Sequence, residues 1–442
     1  MRLIRLLKND LAKEIADWVS DGIISVTQAE KICTRYDIDY HQAKQQMFGY
    51  HVLISLAYLF VGLAVITLLG ANWDDIPRAL RMWGLIALTM LTQSIAIRKY
   101  HLGDDTGAVG IFLLGNLFFG ASIILIAQIY HLGEHMPDGV FWWALGCLPI
   151  AVLIKSRWLA IQANLLALVW FFLEVNMGFF PSLFPLFIAA SLTILYQSKQ
   201  SIVLFLLSLI SIACFFEYSL SALWQEKHYF DIYEEHLGSS AALLLLAYSI
   251  SLYLEQKKSI IAQDYATVLT LWCLRFSLLF FLVMSFQEPW DALLKSQWDH
   301  QTAMLIIVGL LSLGACFFAY KAKKLLPFLY IMVVYLALLL TLLSSDNRSH
   351  ALYFQIADNI ILIAIGITLI IRGIQQGISH YFFLGIASVL LTALMRYIDL
   401  IGDYIGGAVL FMLFALLLIG AAKYWQRHQA LALKIATTRE AT

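Results

Sequence analysis

The sequence predicts an all-α fold, a polytopic transmembrane helical bundle of about fourteen spans preceded by a small helical hairpin on the cytoplasmic side. Three observations predict it. Hydrophobic residues make up 61% of the 442 and charged residues only 13%, about half the charged share of a soluble domain. Apolar runs of 17 to 24 residues recur along the chain, the length that crosses a ~30 Å hydrocarbon layer at 1.5 Å per residue. Inside lipid the backbone must be satisfied within a helix or a closed barrel. Barrel strands alternate polar and apolar over about 10 residues. These runs do not alternate, so they are helices.

Residues 1–48 form the hairpin. Leu7, Leu11, Ile15, Trp18 and Val19 repeat at helical spacing with charges between them. Asp21-Gly22 ends that helix, since glycine tolerates the left-handed conformation after a C-terminus. Thr27-Gln28-Ala29-Glu30 reads as a capping box opening a second helix, and a third starts near Asp39 and runs into the first span. The segment has two readings: a docking or sensory module for a membrane-protein partner, or an amphipathic pair lying on the membrane or against the bundle. The second is favoured. Being polar and amphipathic, the first 48 residues do not resemble a cleavable signal, so the first span is expected to direct insertion.

Spans are expected at about 49–70, 79–97, 107–129, 140–154, 158–175, 180–196, 201–220, 238–254, 263–286, 300–320, 325–344, 354–371, 380–399 and 404–424. Residues 49–155 thus hold the first four spans with polar outer loops, residues 156–424 the remainder, and 425–442 a cytoplasmic tail. Charge placement orients them. With both termini inside, 22 Lys and Arg fall on the cytoplasmic side and six on the outer side, as the positive-inside rule requires. Dropping one span would reverse every later loop. Net charge is zero, so nothing points to a nucleic-acid partner. Four of the five cysteines (Cys147, Cys214, Cys273, Cys316) sit in apolar runs and Cys33 in the hairpin, without a Cys-x-x-Cys pair, so neither a disulfide framework nor a zinc ribbon is expected.

Polar residues in this setting are the candidate site. The first outer loop sets Asn72, Trp73, Asp74, Asp75 and Arg78 in a tight turn. Two adjacent aspartates there could hold a divalent metal with a lipid-linked phosphate, or supply a general base. Equally, Asp75 before Ile76-Pro77 suits a helix start with proline at the first position, and Asp74 could pair with Arg78. The second outer loop carries Gln128, Tyr130, His131, Glu134, His135 and Asp138. His131 and His135 share a face if that stretch is helical, and Glu134 and Asp138 could complete a weak metal site. Gly133 and Pro137 argue instead for a loop of solvated side chains.

Ionisable residues inside spans are the stronger signal, because an unpaired charge there costs at least ~2.5–3.5 kcal/mol. Arg275 lies near the middle of the ninth span, and Asp358, beside Asn359, about one turn inside the twelfth. Glu174 and Glu217 end the fifth and seventh, and Arg396 and Asp399 the thirteenth. Arg275 needs an anion, for which Asp358 or Glu217 is the internal candidate. Such a pair either fixes packing or couples a proton or a substrate anion. Asn116, Gln128, Gln162 and Asn164 either line a cavity or bond between helices. The sequence holds no Walker phosphate loop, no Gly-x-Ser-x-Gly elbow and no His-Glu-x-x-His, and it assigns no cofactor.

Several short motifs resemble a bacterial family of predicted membrane proteins, domain of unknown function 2157. They are Trp18, Gly22-Ile23-Ile24-Ser25, Gln28-Ala29-Glu30, Gly62-Leu63, Asn72-Trp73 with Ile76-Pro77, Gly120-Ala121, Gln128-Ile129-Tyr130-His131 and Trp143-Ala144-Leu145, covering roughly residues 10–155. The remainder, through Arg396-Tyr397 and Asp399, is similar more loosely to a companion membrane domain numbered 4401. The resemblance implies a multi-pass protein of the bacterial inner membrane and supplies no activity.

Three function classes remain: a transporter or flippase of a polar or lipid-linked solute, a transferase acting on a lipid phosphate at the outer face, and a non-catalytic assembly or sensory protein. Acidic residues in the first outer loop resemble the arrangement in polyprenyl-phosphate-dependent glycosyltransferases, which is fold-level analogy. The topology is testable on a cysteine-free background. Asp231→Cys should react with an impermeant maleimide on intact cells and Lys199→Cys only after lysis; the opposite pattern would reverse the orientation.

Overall fold

Each expected span that falls on described residues has a helix as its body, with ends that differ by up to five residues. The computed structural model describes residues 22–35, 77–131, 135–198, 200–224, 233–345, 350–376 and 379–399, with positions 14, 15, 18, 19, 60 and 412 besides. In chain order the helices are α1 (Val26–Arg35), α2 (Arg78–His101), α3 (Asp105–Tyr130), α4 (Pro137–Ile154), α5 (Arg157–Asn176), α6 (Phe184–Gln197) and α7 (Ile202–Trp224). Then come α8 (Glu234–Glu255), α9 (Ile260–Met284), α10 (Gln287–Lys295), α11 (Gln301–Lys321), α12 (Leu325–Leu343), α13 (Ala351–Gln376) and α14 (Ser379–Asp399). Ten are long and apolar enough to cross a membrane, and α4 and α6 supply two shorter apolar helices. The expected spans at 49–70 and 404–424 lie outside the described residues.

The helices expose apolar side chains where a soluble protein would place charge. Ile306, Leu310, Leu313 and Phe317 line one exposed face of α11, at the spacing of a single helical stripe. Such a stripe is unfavourable in water and at no disadvantage in acyl chains.

Three local readings of the sequence are corrected. The Glu288–Asp299 stretch, expected as loop, contains α10. Pro289 sits in its first turn, where no intrahelical N–H is needed. Trp290, Leu293 and Leu294 then make one apolar face. Trp290 is 7% exposed, stacks on Phe354 at 5.1 Å and donates to the Met284 carbonyl at 2.6 Å. The capping box of α1 lies two residues earlier than expected. The Gln28 N–H donates to Ser25 Oγ at 3.3 Å and the Ser25 N–H to Gln28 Oε1 at 2.9 Å, which leaves Thr27 inside the helix. Pro77 is the N-cap of α2 rather than its first residue. Gly22 does take a left-handed φ of 72°, and Ile15, Ala29 and Cys33 bury against Trp18, Val19, Ile24 and Ile32. The helix expected from Asp39 lies outside the described residues.

The chain divides into two compact units, residues 1–236 with 257–267, and residues 237–256 with 268–442. In the first, α2 packs on α3, α3 on α4, α4 on α5, α5 on α6 and α6 on α7. Short connections enforce this. Between α2 and α3 lie only three residues, and Asp104 caps the new helix by accepting from the Gly107 N–H at 2.9 Å. That bond, with the Lys99 ammonium at 3.1 Å, holds the Asp104 carboxyl below its ordinary value. An aromatic core of Trp170, Phe171, Phe184, Phe187 and Tyr218 fills α5, α6 and α7.

In the second unit, α11 and α12 close on Ala315, Ala319, Phe328 and Met332, and Tyr335 donates to the Gly238 carbonyl at 2.7 Å. Helices α13 and α14 meet at glycine. A Cβ on Gly385 would lie 2.6 Å from the Gly366 carbonyl oxygen, a backbone atom that cannot swing aside. Small residues permit such backbone approach in membranes, where packing rather than water drives association. Gly385→Ala should therefore lower the thermal midpoint of the detergent-solubilised protein, costing about 1–3 kcal/mol. Gly309→Ala, with open space around it, should leave the midpoint unchanged.

Candidate functional site

Polar side chains of the first unit bond chiefly to one another across helices. Gln93 Nε2 donates to Asn116 Oδ1 at 3.1 Å, and Asn116 Nδ2 to Gln162 Oε1 at 2.8 Å. Gln162 Nε2 donates to the Leu113 carbonyl at 3.2 Å, and Trp143 Nε1 to that of Asn116 at 2.8 Å. Lower on α5, Asn164 donates to Ser191 Oγ and accepts from Ser211 Oγ, both at 2.9 Å. Asn116, Gln162 and Asn164 thus take the interhelical-bond alternative. Gln128 is exposed near the end of α3.

The end of the first unit where α3 finishes and α4 begins gathers the histidines and acids. Helix α3 stops at Tyr130 because His131 turns left-handed, at φ 52°. His131 and Tyr130 are exposed, and the helical face on which His131 and His135 would meet does not exist. His135 instead turns to α5. Its Nε2 lies 2.9 Å from Glu174 Oε2, and its ring sits edge-on to Phe179 at 4.6 Å. Glu174, 7% exposed, receives the Trp170 indole N–H on its other oxygen at 2.9 Å. Asp138, in the first turn of α4, brings a third ligand-type atom, and those of His135, Asp138 and Glu174 all lie within 4.8 Å of one another. Nearby in the chain order, Glu217 of α7 pairs with His236 at 2.7 Å.

The sequence singled out Glu174 without its partner. The signal was an ionisable residue at the end of the fifth span, but only the fold sets His135 opposite it.

The second unit holds Arg275, Asp358 and Arg396. Asp358 on α13 is 4% exposed, makes no ion pair among the described residues, and its Oδ2 has no hydrogen-bond partner there. Around it, Gln355 and Asn359 donate to the Ser285 carbonyl at 3.2 and 3.1 Å. Arg396 of α14 reaches Ser285 Oγ at 3.5 Å, lies 5.3 Å over the Phe286 ring, and is the charge acting on Asp358. Arg275 does not join this group. It is exposed on α9, with its guanidinium 5.2 Å over the Trp272 ring. Of the two anions offered for Arg275 by the sequence, Asp358 does not pair with it, because Arg275 shares the exposed face of α9 with Phe276 and Leu279, and Glu217 pairs with His236. Arg78 is exposed in the first turn of α2. Asn72, Trp73, Asp74, Asp75 and Glu134 lie outside the described residues.

Comparison with known proteins agrees with a membrane setting. A family model described as predicted membrane protein (DUF2157) matches residues 16–160. The match does not reach the part that resembled the domain numbered 4401. No curated protein matches the chain, and no solved structure does. With its many apolar helices the chain is a multi-pass membrane protein embedded in a lipid bilayer.

Asn164 serves two hydroxyls at once, so Asn164→Ala strips both Ser191 and Ser211 of a partner. The expected loss is about 1–2 kcal/mol, the upper part of the range for interhelical bonds in membranes, read as a lower thermal midpoint. Thr193→Ala, whose exposed hydroxyl bonds only its own helix, should change it little.

Proposed function

We propose that this protein is a transporter or flippase for a polar or lipid-linked solute, with Asp358 as its ion- or proton-coupling group. The observation that carries the reading is a carboxyl buried in a membrane helix with one oxygen that has no hydrogen-bond partner among the described residues. A static structural role would favour a closed ion pair, since a charge inside lipid is stabilised by a direct partner. A carboxyl that must exchange a proton or cation during a cycle needs instead a site open to a second ligand. Gln355, Asn359 and Ser285 supply further polar atoms beside it, and Arg396 reaches Ser285 Oγ at 3.5 Å. Polar cargo moving between helices requires polar groups at depth, and this cluster provides them.

The test is transbilayer movement in reconstituted liposomes carrying a fluorescent phospholipid or polyprenyl phosphate, read by quencher accessibility under an imposed pH gradient. Wild type should accelerate movement over protein-free liposomes. Asp358→Asn should lower the rate at least tenfold, and Asp358→Glu should retain much of it. Equal rates for wild type and empty liposomes would sink the reading, as would an unimpaired Asp358→Asn variant.

A further inference from the structure

We infer that His135, Asp138 and Glu174 form a binding site for a divalent transition-metal ion, zinc by the chemistry of its donors. The site stands in the first unit and does not depend on the transport reading. Its donors come from three places: the segment before α4, the first turn of α4, and the last turns of α5. All three ligand atoms lie within 4.8 Å of one another. Around a tetrahedral zinc with bonds of 2.0–2.1 Å, donor atoms stand about 3.3 Å apart. Closing that gap takes an adjustment of about 1.5 Å. One edge is already short, with His135 Nε2 and Glu174 Oε2 2.9 Å apart.

The surroundings resemble a ligand shell more than a simple ion pair. Metal-bound carboxylates and imidazoles are oriented by outer partners. Here the Trp170 indole N–H fixes the far oxygen of Glu174, and the Phe179 ring fixes the plane of His135. Glu174 is buried, so its charge demands a compensating cation, and Asp138 brings a second negative charge to the same point. Two carboxylates facing one imidazole leave the cluster short of positive charge, which a divalent ion would supply. One nitrogen and two oxygens suit zinc or a neighbouring transition metal; calcium and magnesium prefer all-oxygen shells. Three protein ligands leave a fourth position for water or an anion. The pair Glu217–His236 gathers no third donor among the described residues.

The experiment is zinc titration of the purified, chelator-stripped full-length protein by calorimetry, with bound metal counted by mass spectrometry. Wild type should bind one zinc per chain, and its thermal midpoint should rise with zinc. His135→Ala and Asp138→Asn should each weaken binding at least tenfold, and Asp138→Asn should also abolish the thermal shift. Asp138 is exposed, so that change tests the ligand without disturbing packing. His131→Ala should bind as wild type does. Millimolar magnesium or calcium should not compete. Absence of stoichiometric zinc in wild type would overturn the inference, leaving a His–Glu ion pair. Wild-type affinity in both His135→Ala and Asp138→Asn would overturn it as well.

Discussion

The absence of water from the hydrocarbon layer is the constraint on which the structure depends. Every backbone N–H and carbonyl in the span region must be satisfied inside its own segment, and the helix does this. Apolar side chains gain nothing by leaving lipid for the interior, so the usual driving force for folding is weak between helices. What remains is close packing and polar contact, and the chain uses both. Gly366 and Gly385 let α13 and α14 approach backbone to backbone. Gln93, Asn116 and Gln162 tie α2, α3 and α5 by side-chain bonds.

The same constraint sorts polar residues into kinds. Asn164 has every visible reason to be structural, since both functions of its amide are used on serines of neighbouring helices. Asp358 is the opposite case, buried beside polar groups yet with an oxygen they do not reach. Arg275 is a third kind, lying outward beside Trp272. Its long side chain lets the charge move toward an interface while the stem stays in lipid. Mid-span position alone does not distinguish these cases. The direction of the side chain on its helix does.

At the helix ends the balance changes, because water and headgroups can solvate charge. There the fold sets Glu174, from the end of α5, against His135 and Asp138, which are neighbours in the expected second outer loop. Two features make the meeting possible. His131 adopts the left-handed conformation that stops α3, and Pro137 starts α4 soon afterwards. His135, just before α4, meets Glu174 in the last turn of α5.

By itself the sequence determined the class of fold and where the described spans lie, because an apolar run of sufficient length has one stable backbone solution in lipid. It also placed at Gly22 a residue that takes a positive φ, as glycine readily does. Its errors were local and had physical causes. The α10 segment was missed because nine residues with charges read as loop until Trp290, Leu293 and Leu294 are placed on one face. The capping register slipped because Ser25-x-x-Gln28 and Thr27-x-x-Glu30 fit the same pattern, and only the hydrogen bonds choose between them. Partners across helices were decided by tertiary structure alone. Spacing along a helix fixes which residues share a face, but not which face turns toward which neighbour. That choice is made by glycine contacts, ring packing and buried amides acting together, and it set Glu174 against His135 and Arg396 beside Asp358.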